Sequence, residues 1–269
     1  RGFHQPAQFH LRHPYRYRVA RYGFYTVHHH MPKHSTRSPP PPIPNPALRR
    51  RFRRRLLGWY HRHGRDLPWR RTRNPYHILV SEIMLQQTQV DRVLPKYLEW
   101  LEAFPSFESL ASATPSQVKR KWYPLGYNIR PTRLLTIARE VVRDYGGELP
   151  SDEATLRSFK GLGDYTVGAV RSFAFGIRTA IVDTNISRSL FRIFIARGDP
   201  ADHKVNRHLW KISGALLPQK RVFDFNQALM DFGATVCVAR SPHCPECPMR
   251  KDCRSSKIKN QTSKATNPR

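Results

Sequence analysis

From Ala47 almost to the cysteine-rich end of this chain, apolar residues recur at helical spacing. Leu48, Phe52, Leu56 and Trp59 fall three to four positions apart with arginines on the other face, which predicts an amphipathic helix. A second helix is predicted after Asn74-Pro75, turning Ile78, Leu79, Ile83 and Met84 inward. Thr114-Pro115-Ser116-Gln117 is a capping box: the Thr114 hydroxyl can accept from an amide three residues on, and the Gln117 side chain can return the bond. The proline fits because its missing N–H would find no partner in the first turn anyway. Leu134, Leu135, Ala138, Val141 and Val142 make another apolar stripe, closed by Gly146-Gly147, where a left-handed cap is free of Cβ strain. Ser151 is assigned as the cap of a short helix ending at Phe159, and further helices are predicted over 165–175, 184–197, 204–217 and 224–236. No segment alternates apolar and polar residues as a strand does, so the fold class is all-α.

The ends break this pattern. Residues 1–46 contain no Asp or Glu, many Tyr, His and Arg, and the run Pro39-Pro40-Pro41-Pro42, which reads as a disordered basic tail with an extended linker. The chain opens on Arg1 and Met31 lies just before the linker, so residues 1–30 are taken as a targeting, processed or upstream-translated piece. His28-His29-His30 is assigned to that tail rather than to a metal site. Residues 258–269 are read as a second basic tail. Between the tails we expect two helical lobes, one of roughly six helices over 74–181 and one combining 47–73 with 182–257.

Charge changes the picture next. Against 19 acidic residues stand 47 Lys and Arg, a formal net charge of +28, which makes a polyanion the expected partner, with nucleic acid ahead of membrane. No apolar run approaches the roughly 20 residues that span a bilayer, so no membrane partner is expected. The only cysteines, Cys237, Cys244, Cys247 and Cys253, crowd into one C-x6-C-x2-C-x5-C segment. Disulfide frameworks spread their cysteines to close loops, so this clustering favours a metal or cluster site in a reducing compartment. Four thiolates in one loop can hold a [4Fe–4S] cube. A four-cysteine zinc site is the alternative, although only Cys244 and Cys247 form the short pair that zinc sites use twice.

Two further stretches carry chemistry. Residues 156–170 read as a helix end, then Gly161-Leu162-Gly163, then a new helix from about Tyr165. Glycines in such a hairpin let backbone N–H groups approach a phosphate closely. Downstream, Ile181-Val182 leads into Asp183, which is also suited to cap the helix after it. Upstream, Leu67-Pro68-Trp69-Arg70 precedes Ser81-Glu82-Ile83-Met84-Leu85-Gln86-Gln87-Thr88-Gln89, where Glu82 stands alone among apolar residues.

The cysteine spacing closely resembles the cluster loop of the endonuclease III superfamily. The Glu82 segment, the hairpin and Asp183 narrow that resemblance to its adenine DNA glycosylases, over about Ala47 to Cys253. It implies a two-lobed helix-hairpin-helix glycosylase fold with a [4Fe–4S] cluster, and double-stranded DNA bearing a mismatch or oxidised base as the partner of a monomeric enzyme. Glu82 is then the acid that protonates the departing base, and Asp183 the carboxylate that stabilises or traps the sugar cation. The base must first leave the stack, most easily at a mismatch. Lyases of the superfamily carry a Schiff-base lysine where this chain has Tyr165, which implies a monofunctional enzyme, with Lys160 as a phosphate contact. Gln86, Gln87, Gln89 and Tyr127 are assigned to the space a flipped base vacates, and Gly161, Gly163, Thr166 and Arg70 to the DNA surface; Trp69 is read as pocket or core. Gln227 matches a family position near the adenine. Longer relatives continue past the cluster into a domain that reads 8-oxoguanine, whereas this chain stops at Arg269, which implies a short form. Thymine- or uracil-mismatch glycosylases of the same fold, and a non-catalytic module for distorted DNA, are the other readings. A cytoplasmic, nucleoid-associated location is implied for a prokaryotic source and a nuclear one for a eukaryotic source.

Overall fold

The computed structural model describes residues 41–258, and these form one compact unit. The expectations for the N-terminal tail up to residue 40, and for residues 259–269, lie outside the described residues. Helices dominate, and no strand occurs among the described residues. In chain order they are α1 Pro46–His63, α2 Pro75–Leu85, α3 Val90–Ala103, α4 Phe107–Ala111, α5 Pro115–Trp122 and α6 Ile129–Tyr145. After these come α7 Glu153–Ser158, α8 Asp164–Phe173, α9 Thr184–Leu190, α10 His203–Leu216 and α11 Val222–Asp231. Pro68–Arg70 makes a single 3₁₀ turn between α1 and α2.

Most boundaries follow from the caps that the sequence offers. Asn45 and Asn74 accept N–H bonds at the starts of α1 and α2, each followed by proline in the first turn. Thr114 and Gln117 form the reciprocal bonds of the capping box on α5. Gly146, at φ +62°, ends α6 in the left-handed conformation. The cap of α7 is Asp152, which bonds the Thr155 amide, and not Ser151; its carboxylate accepts from the Thr155 hydroxyl as well. The patterns over 184–197 and 224–236 stop being regular α-helix at Leu190 and Asp231 and continue as wide π turns, Phe191–Ile195 and Phe232–Val236. Seven helices, α2 to α8, occupy the stretch for which about six were anticipated; α4 is only 5 residues long.

In packing, α6 lies against α2, α4 and α5, and α3 against α2 and α5. Separately, α1 lies against α10 and α11, and α9 against both of those. α8 touches α2 on one side and α11 on the other. The first group closes around Trp100 and Trp122, whose rings meet edge to face at 5.5 Å; the second closes around Phe52, Phe194 and Phe225. Such pairs add to the burial of large apolar area.

Many of the arginines are employed internally. Arg53 donates to the carbonyls of Ala215, Leu216 and Leu217 at the end of α10, where the last carbonyls lack helical partners and the dipole favours a cation. Arg139 does the same for Ala111 and Ala113, and Arg192 for Val238 and Ala239. The net charge of +28 therefore overstates the cation surface left for a polyanion.

Candidate active site

The middle of α2 is apolar on every side: Ile78, Leu79, Val80, Ile83 and Met84 are all buried. Glu82 has no solvent face to reach from there and is 3% exposed. Its Oε2 has no hydrogen-bond partner among the described residues. Burial pushes the Glu82 carboxyl up to about 7; the Tyr165 hydroxyl draws it down, the Asp183 charge raises it further, and Arg70 opposes. A carboxyl in that range holds a proton near neutrality and can give it up.

Tyr165 enters from the first turn of α8, its hydroxyl 3.5 Å from Met230 Sδ on α11. Burial, then the charges of Glu82 and Asp183, hold its phenol well above the usual range, so it stays neutral. Asp183 caps α9: Oδ1 accepts the Ile186 N–H at 2.7 Å and Oδ2 the Asn185 side-chain amide at 3.2 Å. Burial moves the Asp183 pKa upward, against the pull of Ile186, Asn185 and Arg188. Arg188 fixes Asn185 at 2.8 Å and donates to the carbonyls of Gly233 and Cys237 at 2.7 and 2.9 Å. The backbone leading into the cysteine segment thus helps orient the Asp183 turn.

Two glycines make this convergence possible. A Cβ on Gly168 would stand 2.7 Å from the Ala180 carbonyl oxygen, and one on Gly233 2.7 Å from that of Asn185. Both contacts are with backbone, so α8 and the second π turn can close on the 180–185 segment only without side chains there. Gly168, Gly233, Asn185 and Arg188 were not singled out from the sequence; the available signal was a glycine inside an apolar helical stripe, at Gly168 and Gly233.

Arg70 and Thr166, assigned to the DNA surface from the sequence, have buried side chains. Arg70 makes a two-pronged ion pair with Asp231 at 2.8 and 2.7 Å, and its side chain is 6% exposed. Asp231 also takes Arg65, and although burial pushes its carboxyl up, Arg70 and Arg65 hold it below the usual range. Arg70 therefore supports the floor of the site from inside. Thr166 is buried and accepts a long bond, 3.5 Å, from the Gln86 side chain. Trp69 is core, edge-on to Tyr97. Gln227 is buried on α11.

Gln87, Gln89 and Tyr127 are exposed, while Gln86 is half-buried. Gln87 and Tyr127 both take left-handed backbone, φ +55° and +48°. In the hairpin, Gly161 needs to be glycine: its φ is +104° and a Cβ would meet the Arg133 side chain at 2.7 Å. Gly163, the N-cap of α8, has ordinary φ and open space where a Cβ would stand. Nothing inside the protein requires a glycine there, and the open N-terminus of α8 leaves room for an outside anion. Lys160 is exposed beside it.

The four cysteines are unpaired and line one cavity of about 360 Å³ together with Arg192 and His243. Burial raises the Cys247 thiol to about 11, and the other three sulfurs add to the rise. No three His, Cys, Asp or Glu side chains among the described residues converge on a single-ion site.

A buried Glu under the influence of a helix-capping Asp, a glycine hairpin and four clustered cysteines together point to the helix-hairpin-helix class of base-excision protein. Comparison with known proteins agrees: residues 80–214 match the model described as HhH-GPD superfamily base excision DNA repair protein, and the chain belongs to that family. Among curated relatives, the adenine DNA glycosylases of Rattus norvegicus and Homo sapiens are each 43% identical over 213 residues, covering 76% of this chain and 41% and 39% of theirs. That of Mycolicibacterium smegmatis is 42% identical over 196 residues, covering 72% of this chain and 66% of its own. The chain thus spans about two fifths of the length of the mammalian relatives. Among solved structures, a thermostable thymine-DNA glycosylase is 34% identical with a TM-score of 0.73, covering 78% of this chain and 97% of that one. An endonuclease III–DNA complex, at 22% identity, TM-score 0.66 and coverage of 79% and 98%, shares the fold.

The raised Glu82 pKa has a consequence for stability. The folded state holds this proton more tightly than the unfolded chain, whose reference value is 4.5. The penalty for ionising Glu82 is therefore absent below that value, grows toward about pH 7 and is constant above it. Glu82→Gln should accordingly gain up to about 3 kcal/mol of stability at pH 8 relative to wild type, and lose that gain near pH 4.5. Denaturant unfolding of both proteins across this range checks it; a mutational difference independent of pH contradicts it.

Proposed function

We propose that the protein is a monofunctional DNA glycosylase that hydrolyses the bond between adenine and deoxyribose where adenine is mispaired with guanine or 8-oxoguanine. The observation that carries the reading is Glu82, a buried carboxyl with a pKa raised to about 7 and an oxygen that has no partner among the described residues. The identities to adenine DNA glycosylases support the choice of base.

With the base unstacked and seated against Glu82, the carboxyl donates its proton to an adenine ring nitrogen. The bond from C1′ to the base then breaks, its electron pair leaving with the now neutral adenine. Asp183 offsets the positive charge that develops on the sugar. Water adds to C1′ and its proton passes to Glu82, which restores the acid and leaves free adenine and an abasic site. Tyr165 offers no amine for a Schiff base, and its neutral phenol is a hydrogen-bond donor beside Glu82, so strand cleavage is not part of the reaction. Glu82→Gln and Asp183→Asn should each lower single-turnover excision by about two to four orders of magnitude while mismatched DNA still binds. The substrates are A·8-oxoG, A·G, A·C, T·G and U·G duplexes. Near-normal excision by folded Glu82→Gln contradicts the mechanism. Faster release of thymine from T·G than of adenine selects the second reading, favoured by the 34% identity to a thymine-DNA glycosylase.

Cys237, Cys244, Cys247 and Cys253 would hold a [4Fe–4S] cluster. Their fit rests on donor chemistry and shape: four free thiols line one cavity. Through the cluster these four cysteines would tie together the loop of residues 237–253, and hydrolysis needs no electron from it. Anaerobically purified protein should contain about four iron atoms and absorb broadly near about 400 nm. Stoichiometric zinc without iron contradicts the assignment.

A further inference from the structure

Arg130 is 4% exposed, and no ion pair with an acid is recorded for it among the described residues. Burying a guanidinium without a carboxylate is costly unless its donors are all placed. Its two terminal nitrogens are placed, on two separate segments, while Nε has no partner among the described residues. Nη1 donates to the carbonyls of Ile83 and Met84 at 3.1 and 2.9 Å and to that of Gln86. Nη2 donates to the Thr88 hydroxyl at 3.0 Å and to the carbonyls of Leu125 and Gly126 at 3.3 and 3.2 Å. The plane is flanked by Trp122 and Tyr127, with ring centroids 5.1 and 5.3 Å from the guanidinium carbon.

These acceptors have a pattern. Ile83 and Met84 are at the C-terminal end of α2, where carbonyls lack helical partners, and they follow Glu82 directly. Leu125 and Gly126 lead into Tyr127. Each segment so held presents one exposed non-glycine residue in the left-handed region, Gln87 and Tyr127. That conformation is unfavourable for a residue with a Cβ and persists where its surroundings impose it. Arg53 and Arg139, by contrast, each serve a single segment.

We propose that Arg130 is a positioning residue that sets the spacing between the Gln86–Gln89 loop and the Leu125–Tyr127 turn, so that Gln87 and Tyr127 enter the duplex together and hold the target base unstacked. The inference rests on the DNA glycosylase reading above. Arg130 touches neither the base nor the reacting atoms, so its loss should impair extrusion and spare the chemistry of a base already out of the stack. Lysine keeps the charge but cannot fork between two segments; methionine keeps the length without the donors.

The test uses the full chain, Arg130→Lys and Arg130→Met, and a duplex with 2-aminopurine next to the mispaired adenine, whose fluorescence rises on unstacking. For Arg130→Lys, folded as judged by circular dichroism, the rise at saturating protein should fall at least about fivefold, and single-turnover excision from the duplex at least about tenfold. Excision of the same adenine from an unpaired bulge should stay within about twofold of wild type. An unchanged fluorescence rise, or equal losses on duplex and bulge, overturns the proposal. Should Arg130→Lys not fold, Arg130→Met is judged by the same criteria; failure of both to fold makes the role purely structural and also overturns it. If wild type excises no base at all, the glycosylase reading fails, and the fluorescence arm still decides for Arg130 because it needs no chemistry.

Discussion

Removing one carboxyl from water is the constraint around which the site is built. Glu82 sits where α2 has no wet face, and burial is the largest influence on its proton. Everything near it tunes that term: the Tyr165 hydroxyl and Arg70 draw the pKa down, and Asp183 draws it up. Asp183 can stay close only because its own carboxylate is bonded at the start of α9 by Ile186 and Asn185. The approach of α8 and the second π turn to that segment depends in turn on Gly168 and Gly233. Two acids with different partners, one in apolar surroundings and one at a helix cap, are thereby held in different environments.

The same logic runs through the arginines. A chain with 47 Lys and Arg invites the view that its cations all face a polyanion. Arg53, Arg130, Arg188 and Arg192 instead end on carbonyls of helix termini and turns, and Arg65 and Arg70 end on the fully buried Asp231. This small all-helical fold has many short helices, hence many orphan carbonyls, and guanidinium forks satisfy several at once. Guanidinium suits the task because it stays charged when buried and donates in fixed directions.

What was legible in the sequence follows from what is local. Asn74 with Pro75, the Thr114–Gln117 box and Gly146 each determine a helix boundary within a few residues of themselves, and were read correctly. Glu82 and Asp183 could be named because motif resemblance carried information that periodicity lacks. The burial of Arg70 and Thr166 was not legible because it involves distant partners: Asp231 lies 161 positions from Arg70, and Gln86 lies 80 from Thr166. Arg130 passed unnoticed for the same reason, one arginine among many until the Gln86 and Leu125 segments meet around it. The π turns at 191–195 and 232–236 keep helical periodicity while widening, so pattern alone extended the helices through them.

The central claim is that Glu82 acts as an acid because burial holds its proton near neutrality. The most direct measurement is the pH dependence of the single-turnover rate constant for adenine excision by the full chain at saturating enzyme. The account predicts a rate that is level on the acid side and falls about tenfold per pH unit above a midpoint near about 7, as one proton is lost from the reacting complex. A rate that rises with pH through that range, or stays level to about pH 9, contradicts it.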